Sequence, residues 1–163
     1  MGVRNCKDIG ENLQKIAKRL LANEELVKLL YYTDKDPLSQ PNLTTEQKEK
    51  EIFEKLIKIV PIVRENSVSK SIISIRVDNG KNLDANPEFK RVAITVEIFV
   101  PLTQWIIKDT NLRPFAIMGQ IQESLNDKKI NGLGKLKGGD FNLSFITQET
   151  SCYEQYFGLE SYD

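Results

Sequence analysis

The chain has 163 residues, 23 Lys and Arg against 23 Asp and Glu, and no histidine. The absent imidazole excludes Ser-His-Asp triads, Cys-His pairs and His-based zinc sites. The zero net charge argues against non-specific nucleic-acid binding, which needs a cationic excess to displace counterions. The length fits a single domain over residues 1–163, with a helical part over 1–60 and a sheet plus one helix over 61–163.

Ile9, Leu13, Ile16 and Leu20 recur at helical spacing behind Asp8, which predicts a first amphipathic helix. Asn23, followed by Glu24 and Glu25, is a fresh N-cap for a short helix carrying Leu26, Val27, Leu29 and Leu30. Residues 33–42, with two prolines, read as an ordered loop. A third helix is expected from Thr44-Thr45 to Pro61. Its inner face would hold Ile52, Phe53, Leu56, Ile57 and Val60, and its solvated face the pairs Glu46–Lys50, Glu51–Lys55 and Glu54–Lys58.

The period then changes from 3.6 to 2. Ile73, Ile75 and Val77 form one half-buried strand, and Val92, Ile94, Val96, Ile98 and Val100 a second that pairs with it antiparallel. The connection from Asn79 to Lys90 is long for a hairpin and fits an arm that reaches a neighbour. Pro114 sits in the first turn of a helix from Asn111 to Leu125, whose inner stripe is Ile117, Ile121 and Leu125. Gly132, Gly134, Gly138 and Gly139 predict a turn, followed by strands at Phe141–Phe145 and Tyr153–Leu159. The order of elements is that of an α+β domain, a mainly antiparallel sheet with helices on one face.

The candidate chemistry is sparse. Asp34-Lys35-Asp36 has a metal-ligand look but lacks the further ligands of a calcium loop, and a turn before Pro37 is favoured. Gly132-Leu133-Gly134-Lys135 follows a helix instead of a strand and has Leu136 where a phosphate loop needs Ser or Thr. Residues 127–140 carry a mild excess of +2, read as a solvated loop, and residues 149–163 carry −4. That acidic segment also holds Tyr153, Tyr156, Phe157 and Tyr162, which fits either an interface or an edge strand half in the core. Cys6 and Cys152 are expected as thiols in a reducing compartment. No apolar run has the length of a membrane span, and MGVRNCKDIG has no signal-peptide core, so a soluble cytosolic chain is expected. No catalytic, cofactor or metal constellation emerges, and the expectation is a protein that is not an enzyme.

The second half carries a wider pattern. The strand Ile94-Thr95-Val96-Glu97-Ile98-Phe99-Val100 ends at Pro101 and is followed by Trp105. Arg113-Pro114 then opens the helix with Ile117-Met118 and Ile121. Ile130-Asn131-Gly132-Leu133-Gly134 and Tyr153-Glu154-Gln155-Tyr156-Phe157-Gly158-Leu159 complete it. With Leu29-Leu30-Tyr31-Tyr32, these residues resemble the tail terminator and neck proteins of long-tailed bacteriophages. The resemblance implies a small α+β subunit of a ring, commonly a hexamer, that caps the tail tube and joins it to the head. Its implied partners are further copies of itself, the tail tube protein, the head–tail connector or adaptor, and the sheath protein in a contractile tail. DNA would pass through the ring without specific binding, no membrane or cofactor would be involved, and the protein would reside in the virion neck. On that reading the ring or tube contacts are Asn82, Asn86, Phe89, Trp105, Tyr153, Tyr156 and Phe157, and Glu154 and Glu160 face the channel. A head–tail adaptor of the same neck is the nearest alternative. A small enzyme or nucleotide-binding domain built on carboxylates and Lys is the alternative of another class.

Overall fold

The computed structural model describes residues 6–60, 68–82, 90–130 and 134–160. Helix α1 (Cys6–Leu21) buries Ile16, Ala17 and Leu20, the stripe its 3.6-residue period requires. Helix α2 (Glu24–Tyr31) starts where expected: the Asn23 side chain accepts the Leu26 N–H at 2.9 Å. The Asn23 amide also donates to the Ser124 hydroxyl at 2.8 Å, so one cap residue ties α2 to the later helix α4 (Arg113–Leu125). Among them, Leu26, Leu29, Leu30, Ile117 and Ile121 bury fully against the sheet.

The third helix is much shorter than its periodicity predicts. Helix α3 (Thr45–Gln47) opens with a reciprocal capping box between Thr44 and Gln47, widens into a π-turn over Lys48–Ile52 and stops. Glu54 takes a left-handed conformation, φ 61°, and Ile57–Lys58 becomes strand β1. Of the three predicted ion pairs, Glu46–Lys50 forms at 2.6 Å and Glu51–Lys55 at 3.7 Å. Glu54–Lys58 loses its helical spacing. The physical reason is tertiary: Ile57-Lys58 finds backbone partners in Ile73 and Ser74 that a helix would forgo.

The sheet has six strands in the order β1-β2-β3-β6-β5-β4. Strand β2 (Ile72–Asn82) and strand β3 (Lys90–Pro101) pair antiparallel, with a bulge at Asp78. The pairing continues through Asn79↔Ala93 to Asn82↔Lys90, so both ends of the connection expected from Asn79 to Lys90 belong to the ladder, and its remaining residues 83–89 lie outside the described residues. Strand β4 (Lys129–Ile130) is a short edge piece; strand β5 (Gly134–Ile146) and strand β6 (Thr150–Glu160) complete the sheet.

Two further expectations change here. Gly134, Gly138 and Gly139 do not build a free turn; they lie inside β5, with positive φ, and the register slips past Gly139 opposite Phe157 and Tyr156. The C-terminal strand is not an edge: β6 is hydrogen-bonded to β3 on one side and β5 on the other. Sequence periodicity reports faces, and strand order is set by non-local pairing.

The helices cover one face only. That face receives Ile73 and Ile75 from β2, the Val92-to-Val100 alternation from β3, and Phe157 from β6. Strand β3 is also buried on its other face, where Thr95, Glu97 and Phe99 were expected to be open. It lies between two long strands whose polar side chains close over it, and Phe99 meets Phe145 edge-on at 6.1 Å.

Candidate functional site

Helix α4 packs its inner stripe against the core face of the sheet and leaves part of β5 uncovered. On the helix side of β5, Phe141 is opposite Gln155, Leu143 opposite Tyr153, and Ile146 opposite Ser151. These three side chains are 49%, 49% and 55% exposed, and Phe115 on the first turn of α4 is 39% exposed. Phe115, Phe141 and Trp105 gather around Tyr153, the cross-strand partner of Leu143, with ring centroids 5.4, 6.2 and 6.2 Å from its own. Trp105 is anchored by its indole N–H, which donates to the Ser151 hydroxyl at 2.9 Å. The result is one apolar strip along the outer side of β5, beginning in the core and ending in solvent. Its neighbour Gln155 is buried and donates to the carbonyls of Met118 and Gly139, holding α4 to the sheet beside the strip.

The opposite face is polar. The Arg76 guanidinium donates to Asp78 at 2.7 Å, to Glu154 at 3.1 Å, and pairs with Glu97. Thr95 donates to Asp78, and the Tyr156 hydroxyl donates to Glu154 at 2.7 Å. Burial alone would lower the Arg76 pKa; the three carboxylates outweigh it and push it up. Burial likewise works against ionised Glu154, but the Tyr156 and Arg76 hydrogen bonds hold it below its usual value. The bond to Glu154 holds the Tyr156 phenol above its own.

The predicted contact residues are therefore split. Trp105 and Tyr153 meet in the apolar strip. Tyr156 lies on the other face, bonded to Glu154. Phe157 is 2% exposed and belongs to the core, so it offers no surface contact. Glu154 is not an open channel carboxylate: Arg76 and Tyr156 satisfy it. The backbone of Asn82 closes the β2–β3 ladder and that of Glu160 pairs with Lys135. The side chains of Asn82 and Glu160, and all of Asn86 and Phe89, lie outside the described residues. Phe115, Phe141, Leu143 and Ile146 were not singled out as contacts. Their alternation reads as a buried strand, and only the placement of α4 exposes them.

The weaker motifs resolve into structure. Asp36 pairs with Lys108 at 3.1 Å, which holds its carboxyl low, beside a shallow cleft of about 480 Å³ lined by Pro37, Leu38 and Ile107. Lys135 pairs with Asp127 at 2.9 Å across the β4–β5 corner. Among the described residues no three Cys, Asp or Glu side chains converge as a metal site. Cys6 is exposed on α1 and Cys152 is buried in β6. No helix of the described residues is long and apolar enough to cross a membrane.

One family model, YomW, matches residues 23–159. The chain belongs to the YomW family. Its name is phage-derived, as in a Bacillus prophage, which associates the chain with phage proteins. The YomW match begins at the Asn23 cap of α2 and ends within β6, so it contains the apolar strip and the Arg76 network and leaves out α1. No curated protein matches the chain.

Proposed function

We propose that this YomW chain is a structural, non-enzymatic protein of the neck of a long-tailed phage, a tail terminator. Its copies form a ring, a hexamer on this reading, that caps the finished tail tube and joins it to the head connector. DNA passes through the ring without specific binding. The phage association of the family and the α+β fold both support this reading. The observation that carries it is the apolar strip of Phe115, Phe141, Leu143 and Ile146 at the open side of β5. An aromatic and aliphatic surface of this kind, continuous with the core, marks a protein contact.

The test is electron microscopy of the purified protein added to purified tail tubes, with mass photometry of the protein alone. The expected result is added density at the head-proximal tube end and a closed ring of one stoichiometry. Density only at the portal would replace the terminator by the adaptor of the same neck. A protein that stays monomeric and ignores both tube and portal would overturn the structural reading.

A further inference from the structure

We propose that the open edge of β5 pairs with the β2 edge of a second copy, so that one antiparallel sheet runs from subunit to subunit. The inference rests on the ring reading above and names the surface through which the ring closes.

The first support is strand direction. The four long strands β2, β3, β6 and β5 alternate, so β2 and β5 run in opposite directions at the two sides of the sheet. Copies placed side by side in the same orientation therefore set β5 of one antiparallel to β2 of the next. Both edges are largely open among the described residues. Strand β1 and the turn before it engage only Ile73 and Ser74 of β2, and residues 126–130 engage β5 only from Gly134 to Gly138, which leaves the edge around Phe141, Leu143 and Ile146 open. An unpaired edge offers a row of backbone donors and acceptors to another chain.

The second support is which side chains share a face. On the helix side the β5 edge carries Phe141, Leu143 and Ile146, and the β2 edge carries Ile75 and Val77. On the other side β5 carries Asn142, and β2 carries Arg76. Same-orientation pairing continues apolar beside apolar and polar beside polar.

The third support is area. The exposed parts of Phe115, Phe141, Leu143 and Ile146 amount to roughly 400 Å². A two-fold contact of this strip with itself would bury about 800 Å² in total, which is the range of crystal contacts and below that of stable dimers. A head-to-tail ring joins every copy to two neighbours, through the strip on one side and the β2 edge on the other, and closure adds the last contact without further loss of freedom.

Cross-linking between engineered cysteines tests this in a Cys6→Ser background, which removes the exposed native thiol. Leu143→Cys and Val77→Cys are prepared singly and together and treated with a short bismaleimide. The expected result is a ladder of covalent oligomers from the double variant, a dimer from the mixed single variants, and monomer from each alone. Adding Phe141→Glu should reduce the ladder at least about tenfold. Asn142→Cys with Asn79→Cys, both exposed on the polar face, is a second pair should Val77→Cys fail to fold. Self-dimerisation of Leu143→Cys alone would replace the ring by a two-fold contact. No ladder from either folded pair, at the highest soluble concentration or on tail tubes, would overturn the inference. A ladder without tube-end density would leave the edge pairing standing and remove the terminator reading. Tube-end density without a ladder would do the reverse.

Discussion

The Arg113 guanidinium donates to the carbonyl of Leu29 at 2.6 Å, across 84 residues of chain. It also donates to the carbonyls of Tyr32 at 2.8 Å, Asp34 at 2.7 Å and Gln104 at 2.9 Å. Leu29 and Tyr32 end α2, so a cation sits at the negative end of that helix and binds its orphan carbonyls. Among the described residues no carboxylate is bonded to it, and burial lowers its pKa below the ordinary value. One side chain thus joins α2, the loop after it, the turn before Trp105 and the start of α4.

Arg113→Ala should therefore destabilise the fold by about 3 kcal/mol or more, because several buried carbonyls lose their donor together. Arg113→Lys should recover only part of this, since an ammonium lacks the planar fork that reaches all four acceptors. Urea unfolding measures both. A loss below about 1 kcal/mol for the alanine variant would refute the keystone role.

The elements that sequence periodicity located are those whose pattern and neighbours agree: α1, the Asn23-capped α2, α4 behind Pro114, and the β2–β3 pair. The failures are non-local. Phe53, Leu56 and Ile57 satisfy a helical period equally well, and only the backbone of Ile73 makes Ile57 a strand residue. Gly138 looks like a turn glycine until Tyr156 is placed beside it. On the apolar strip, Trp105 and Tyr153 were legible as amphipathic aromatics. The exposure of Phe141 and Leu143 was not, because their alternation is the same whether or not a helix covers them.

The corner that ends the π-turn predicts a stabilising change. Glu54 holds φ 61°, a conformation that costs a residue with a Cβ about 1 kcal/mol. Its N–H donates to the Ile57 carbonyl at 2.9 Å, a bond that glycine keeps. Glu54→Gly should gain roughly 0.5–1 kcal/mol and raise the thermal midpoint by about 2 °C. A lower midpoint in a calorimetric scan would contradict the assigned backbone.

Gly138 predicts the opposite sign. A Cβ built there would lie 2.3 Å from the Tyr156 carbonyl oxygen and 2.9 Å from the Phe157 Cα, at φ 149°. Backbone cannot move aside as a flexible side chain does, so Gly138→Ala should cost about 2–4 kcal/mol through the β5–β6 ladder. Gly119, on α4, has nothing within 4 Å of its Cβ position. Gly119→Ala should instead gain about 0.5–1 kcal/mol. Denaturant midpoints of the two variants that move together would exclude this account.

The polar face makes a pH prediction whose sign can be worked out. Glu154 titrates below its ordinary 4.5 when folded, so its contribution is full above that value and is lost as pH falls through the lower folded one. Tyr156 titrates above its ordinary 10.0, so its contribution is full below 10.0 and lost as pH rises through the higher folded value. Tyr156→Phe should weaken both limbs and move the acid transition to higher pH. Arg76→Ala behaves differently. It leaves Glu97, 7% exposed, beside Glu154 with no cation between them, at a cost of about 2–3 kcal/mol at neutral pH. Protonating Glu154 relieves the penalty, so the gap between the parent and Arg76→Ala should narrow as pH falls below 4.5 through the lower folded value of Glu154. Urea midpoints across that range measure it. A gap that stays constant would mean that Arg76 acts through packing and not through charge.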